Sequence, residues 1–275
     1  MLSTQQIASY RADGYLLVRG LVPEEMRLDV LVAIDRLLCA KQPHLRPSTR
    51  ACVTGDVHAK ILELAHTDRR ALAKVYDAIR KVAPFWSMTG TPALVEASGQ
   101  LLGSESVGVI FRGNGIRLDL PAEDKWRSAW HQEYHSQLSS VRAVTAWFSL
   151  VPVTADMGPV ELLRGSHAEG LRSVRCLDPM NVHKNYAGTF ELRDVGELTS
   201  KYALARHETE AGDVLFLDFL TVHQSGYNRD AARSRISSQV RYFDMMEPGA
   251  VANDWVGGWQ EGGDFRLVHP DKVAL

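Results

Sequence analysis

Helical periodicity before Gly103, short strand-like runs after it, and no βαβ alternation predict an α+β chain with a closed antiparallel core. A double-stranded β-helix, or jelly roll, is one such closed solution, here with N-terminal helices packed on one face. The 275 residues are 45% hydrophobic and 23% charged, enough for one large domain with a real core. The expectation is a single domain over 1–275, helical to about residue 103 and jelly roll from about 104 to 275.

In order, Ser3 with Gln6 three residues later reads as a capping box for a helix to Ala12, stopped at Gly14. A short strand, Tyr15 to Arg19, follows. Pro23 opens a second helix, with Glu24 and Glu25 at the positive end of its dipole. Met26, Val30, Leu31, Ile34, Leu37 and Leu38 give that helix one apolar face. Residues 41–56 hold two prolines and few apolar anchors, so a loop is expected there. Helices are expected from about Asp68 to Val82, ended by Pro84, and from Thr91 to Leu102. Strands are expected over 107–111, 116–120, 128–135, 141–151, 160–163, 214–219 and 236–243. In 141–151 Thr145, Trp147 and Ser149 share one face, with Ala146, Phe148 and Leu150 on the other. The long, weakly patterned stretch 166–212 is expected to be a lid, because loops of that length inside a compact domain are usually functional.

A net charge of −2 leaves no basic excess, so no nucleic-acid partner is expected. Three scattered cysteines, Cys39, Cys52 and Cys176, suggest a reducing compartment. The N-terminus is polar and no apolar run reaches membrane-spanning length, so the expectation is a cytoplasmic protein that does not engage a membrane.

The chemistry concentrates in Trp130-His131-Gln132-Glu133-Tyr134-His135. On a strand, residues two apart share a face roughly 6 to 7 Å from each other, which would set His131 beside Glu133. A remote imidazole, His223, would complete a two-histidine, one-carboxylate triad, which holds Fe(II) on one face and leaves the other open. On a helix, His131 and His135 would instead lie one turn apart and could grip zinc, the arrangement of a hydrolase. Gln132 stands where such a helix carries its catalytic glutamate, and the strand reading is preferred. His167 reads as a turn residue.

Together these residues resemble the phytanoyl-CoA dioxygenase family of Fe(II)/2-oxoglutarate oxygenases. The likeness runs from Tyr10-Arg-Ala-Asp-Gly14 through Trp130-His-Gln-Glu133, Ala146-Trp147, Gly158-Pro159 and Arg164-Gly-Ser-His167 to a closing segment. That segment comprises Gly212-Asp213, His223-Gln-Ser-Gly226, Asn228 and Arg241-Tyr242. The resemblance implies iron ligation by His131, Glu133 and His223, with 2-oxoglutarate and O2 as cosubstrates and a small molecule as substrate. It implies a last-strand arginine on the distal carboxylate of 2-oxoglutarate, bidentately, as suits a guanidinium. Spacing before Arg241-Tyr242 favours Arg235 over Arg233, although the count from His223 is one longer than usual. The alternative for both is a solvated strand face continued by Ser237, Gln239 and Arg241. Ser225 matches a hydroxyl on the same carboxylate and Trp147 an aromatic wall. Glu133 departs from the family's usual aspartate, yet fills the position that halogenating members leave vacant for chloride. If the strand continues, Tyr134 and His135 are candidates to line the substrate pocket. The implied reaction is hydroxylation, or a related oxidation, coupled to decarboxylation of 2-oxoglutarate to succinate. The competing reading is a jelly roll that binds a small molecule without catalysis.

Overall fold

The structure, a computed structural model, describes residues 1–177, 190–258 and 261–274. Helix α1 (Thr4–Asp13) is closed by the expected box: Gln6 N–H donates to the Ser3 hydroxyl, and Ser3 N–H to the Gln6 side chain. Gly14 ends it in the left-handed region at φ 78°. After β1 (Tyr15–Val18) come α2 (Glu24–Lys41), α3 (Val53–Thr67), α4 (Arg69–Ile79), α5 (Ala83–Thr89) and α6 (Pro92–Leu102).

Two of these helices depart from expectation. The loop expected over 41–56 gives way at Val53 to α3, whose Val53, Val57, Ile61 and Leu64 are buried at helical spacing. Gly55 in its first turn disguises the start. Pro84 opens α5 instead of merely ending α4, because the first helical turn has no use for the missing N–H.

The second part begins with β2 (Val107–Val109) and β3 (Gly115–Asp119), followed by the single helical turn α7 (Tyr134–Gln137) and β4 (Ala143–Ser149). Next are β5 (Glu161–Leu163), β6 (Val174–Cys176), β7 (Phe190–Leu192), α8 (Val195–Lys201) and β8 (Leu204–Arg206). Then come β9 (Val214–Asp218), β10 (His223–Gln224), β11 (Arg235–Asp244), α9 (Pro248–Ala252), α10 (Phe265–Val268) and β12 (Val273–Ala274). The major sheet runs β1-β9-β4-β11-β2, with β3 also on β11, and all its pairings are antiparallel. A minor sheet runs β10-β5-β8, and a third joins β12, β6 and β7. The N-terminal part is woven into the second, since β1 is a strand of the major sheet.

The period of two in β4 and β11 divides the molecule. Val144, Ala146 and Phe148 of β4 and Ser238, Val240 and Tyr242 of β11 are fully buried. The apolar members of that set join the cluster built with α2 to α6. Alternate residues Thr145, Trp147, Arg235, Gln239 and Arg241 face a cavity on the other side of the sheet. The β11 face that a sequence reading assigns to solvent is therefore the floor of a pocket.

The run 128–135 is not a strand. His131 makes one antiparallel bridge with His223, and the chain turns at Glu133 (φ −61°, ψ −36°) into α7. The buried Gln132 side chain stands in for ladder bonds: its Nε2 donates to the carbonyls of Gly170 and Leu220, and its Oε1 accepts from Arg172 N–H. The expected lid, 166–212, is in its described parts largely regular structure, holding β6, β7, α8 and β8, with β8 paired to β5. Residues 178–189 of that stretch, including His183 and Lys184, lie outside the described residues.

Gly158, at φ 69°, and Gly226 are packed backbone to backbone. A Cβ on Gly226 would meet the Gly158 carbonyl carbon at 2.6 Å and, nearer still, the Pro159 carbonyl oxygen. Gly226→Ala is expected to cost about 1 to 3 kcal/mol of stability by overpacking, read from urea denaturation. A wild-type midpoint would show that the two segments can part freely.

Candidate active site

The bridge between His131 and His223 is a pair of reciprocal backbone bonds: His131 N–H donates to His223 O (2.9 Å) and His223 N–H to His131 O (3.0 Å). It sets two residues distant in sequence face to face, their ring centroids 4.2 Å apart. Each ring then spends its Nδ1–H on a carbonyl two residues upstream. His131 donates to Ala129 O at 2.7 Å and His223 to Thr221 O at 2.9 Å. A carbonyl can only accept, so both Nε2 lone pairs are left to face the cavity.

Glu133, at the start of α7, supplies the carboxylate. Its Oε2 lies 3.7 Å from His223 Nε2, and one donor atom from each of His131, Glu133 and His223 falls within 4.8 Å of the others. Among the described residues no other histidine, cysteine or carboxylate joins a comparable group. Two imidazoles and a carboxylate on one side of a cavity are a donor set suited to a divalent ion such as Fe(II). Burial and the neighbouring His223 push His131 down to about 3, so it is a neutral donor. Burial alone would raise Glu133, but the Arg241 guanidinium outweighs it and holds the carboxyl well below the usual range.

The cavity, about 210 Å³, runs from these three groups across the sheet to Arg235. Ser225, on the segment that carries His223, and Trp147 of β4 line it, as does Arg117 of β3. Arg235 is 2% exposed. Its Nε donates to Asp119 Oδ2 at 3.2 Å, its Nη2 is ion-paired with the same oxygen at 3.0 Å, and its Nη1 donates to Gly158 O. Asp119 Oδ1 accepts from Arg117 Nη2 at 2.9 Å. Burial would raise Asp119, yet Arg235 and then Arg117 hold it down at about 2. The fork that the sequence reading assigns bidentately to the cosubstrate is thus engaged along one edge by Asp119. Arg233 stands outside, half-exposed and paired with Asp230. Two cavity-lining polar atoms, Thr145 Oγ1 and Arg117 Nε, are buried with no hydrogen-bond partner, which fits a pocket made for a polar molecule.

The family model described as phytanoyl-CoA dioxygenase (PhyH) matches residues 10–237. The chain belongs to that family. Ectoine dioxygenase of Bordetella bronchiseptica is 25% identical over 235 residues, 82% of this chain and 71% of that protein. Among solved structures, EctD from S. alaskensis with bound Fe aligns at TM-score 0.58 and 16% identity, covering 90% of this chain and 80% of its own. The epimerase SnoN, solved with Fe3+, alpha ketoglutarate and nogalamycin RO, aligns at 0.56 and 19%, covering 90% and 87%. The fold is accordingly the double-stranded β-helix, and the chain is an Fe(II)/2-oxoglutarate-dependent dioxygenase.

Two expected pocket residues of this family member lie elsewhere. The turn into α7 carries Tyr134 and His135 away from the cavity. The Tyr134 hydroxyl meets His269 Nε2 at 3.0 Å. His135 donates from Nε2 to Arg172 O and packs edge-on against Phe265 at 4.9 Å. His135 therefore cannot pair with His131 on a zinc ion. Arg172 of the expected lid is tied to Glu169 and Asp194. His167 donates from Nε2 to Arg11 O, at the turn where it was expected. Asp119, Arg117, Gln239 and Arg241 are the site residues that sequence reading left without a role. Their signal was polar alternation on β3 and β11, which looks the same on a wet surface and on a cavity wall.

Asp119→Asn, leaving Arg235 buried with a neutral partner, is expected to cost about 3 to 5 kcal/mol at neutral pH. Because the folded carboxyl titrates at about 2 rather than 3.8, its stabilisation is full above 3.8 and lost as pH falls toward 2. The gap between wild type and variant, read from urea denaturation, should narrow by about 2 kcal/mol over that window. A gap that stays constant would place the effect outside the ion pair.

Proposed function

We propose that this family member hydroxylates a small-molecule substrate at an iron centre held by His131, Glu133 and His223, with 2-oxoglutarate anchored toward Arg235. The observation that carries this reading is the convergence of His131 Nε2, His223 Nε2 and Glu133 Oε2 at one end of the cavity whose other end is Arg235. Bound iron, 2-oxoglutarate and O2 supply the oxidising power as 2-oxoglutarate is decarboxylated to succinate. The chain's own groups do the rest. The carbonyls of Ala129 and Thr221 keep both histidines in the tautomer that offers Nε2. Arg235, oriented by Asp119 and the Gly158 carbonyl, offers its charge and remaining N–H to the distal carboxylate, with Ser225 beside it and Trp147 as a wall. Gln239, across from Trp147 in the β4–β11 ladder, adds an amide to the same floor. Burial of Glu133 and His223, with His131 half-buried, limits the access of bulk water to the reacting positions. No helix among the described residues is long and apolar enough to cross a membrane. The three cysteines are unpaired, which supports a cytoplasmic setting.

Purified protein is expected to bind one Fe(II) or Mn(II), and His131→Ala or His223→Ala to abolish binding, because two remaining ligands are too few. Calorimetric titration with Mn(II) decides this, and wild-type affinity in both variants would sink the triad. Arg235→Ala should lose 2-oxoglutarate affinity by about 2 to 5 kcal/mol, the cost of truncating a buried charge pair, while Arg233→Ala stays near wild type. Titration of the anaerobic iron complex reads both, and succinate formation separates turnover from mere binding. Equal small losses would assign the cosubstrate to another group.

A further inference from the structure

Glu133 is held by a group that neither its motif nor its spacing announces. Arg241 of β11 donates from Nε at 2.9 Å to the carboxylate oxygen Oε1, and its Nη2 lies in ion-pair contact with the same oxygen at 2.8 Å. Both side chains are 5% exposed. The guanidinium is itself held, its Nη1 donating to Gly113 O, while its backbone N–H donates to Asn114 Oδ1 at 2.9 Å. Oε1 is thereby saturated, and Oε2, the oxygen nearer His223, is the one left over.

We propose that Arg241 is a positioning residue that keeps Glu133 monodentate toward the metal. The inference rests on the metal-centre reading above. A carboxylate can bind an ion through one oxygen or both. In a centre that must also accept two atoms of 2-oxoglutarate and one of O2, a second glutamate oxygen would occupy a position the cosubstrates need. Glutamate has one more rotatable bond than aspartate and more freedom to swing both oxygens inward. The Arg241 guanidinium, bonded and ion-paired to that one oxygen, opposes the swing in a buried setting. Arg241 is thus assigned a role through Glu133, without touching cosubstrate.

The test uses the full chain loaded with Co(II), whose visible spectrum reports coordination number, titrated with 2-oxoglutarate. Arg241→Gln is expected to retain Co(II), to show a Co(II) spectrum of raised coordination number, and to bind 2-oxoglutarate at least about tenfold more weakly, the scale on which losing a ligand's partner acts. Added to Glu133→Asp, which keeps a carboxylate ligand but lacks the methylene that lets both oxygens swing inward, the same substitution should change 2-oxoglutarate affinity by less than about twofold, because residues that act through one another are not additive. Equal losses in both backgrounds would make Arg241 a direct cosubstrate contact or a support of the Gly113 turn, and no loss in the Glu133 background would make it a bystander. Either result overturns the proposal. Arg241→Lys, which keeps the charge but not the fork, should fall between wild type and Arg241→Gln. It carries the comparison if the glutamine variant does not fold, and failure of both to fold overturns the proposal in favour of a structural role. Wild type that takes up no Co(II), or His131→Ala that takes it up unchanged, would instead fell the metal-centre reading on which the inference rests.

Discussion

The reciprocal backbone bonds between His131 and His223 are the contact on which the site depends. With Ser225 N–H donating to Ser128 O at 3.0 Å beside them, they register the 128–135 segment against the segment that follows β9. Strand pairing fixes relative position far more tightly than loop packing does, so two imidazoles brought together this way need little further restraint. The further restraint present is the pair of carbonyls, Ala129 O and Thr221 O, each two residues upstream of its histidine. The symmetry follows from the pairing itself, since both histidines sit at equivalent places in one hydrogen-bonded pair.

Around that pair the protein has placed three guanidinium groups and two carboxylates, Arg235, Arg241 and Glu133 buried and Arg117 and Asp119 half-buried, which is costly unless every charge has a partner. The partners are shared out in sequence along β3 and β11. Arg117 and Arg235 divide Asp119, and Arg241 takes Glu133. Arg235 and Arg241 stand on the same face of β11, which therefore presents a positive charge at each end of the cavity and an amide, Gln239, between them. The two ends do different work. In the proposed reading, one guanidinium is oriented by a carboxylate and would face the cosubstrate, whereas the other orients a carboxylate that would face the metal. A single strand thus positions both halves of the chemistry, and a shift in its register by one residue would turn both into the helical core.

Much of this was legible before any coordinates. The helix-then-strand order, the capping box at Ser3, and the division of β4 into a Trp147 face and a Phe148 face all follow from local pattern and spacing. What escaped the sequence escaped it for physical reasons. The turn at Glu133 is invisible because a single bridge suffices to place His131, and a buried glutamine, Gln132, replaces the bonds a strand would have made. Tyr134 and His135 were assigned to the pocket on the assumption that alternation continues, and it stops one residue earlier. Helix α3 hides behind Gly55, although its buried stripe of Val53, Val57, Ile61 and Leu64 was there to be counted. The polar face of β11 was ambiguous in principle, because a lone sequence does not distinguish a charged cavity wall from a solvated surface.

The same turn bears on the one residue that departs from the family's habit. On a continuous strand, a carboxylate two residues after His131 would project beside it from the same pleat. In this chain Glu133 instead begins a helical turn, with its backbone already in the α region, so its Cβ leaves from a different direction than a strand residue's would. Glutamate's additional methylene supplies reach across that change of direction, and with reach comes rotamer freedom that aspartate lacks. A carboxylate oxygen bonded and ion-paired to one held guanidinium has that freedom reduced. The Glu133 side chain and the Arg241 fork are therefore a matched pair: the longer acid makes a clamp necessary, and the floor of the cavity, one β11 pleat beyond Gln239, is where the clamp stands.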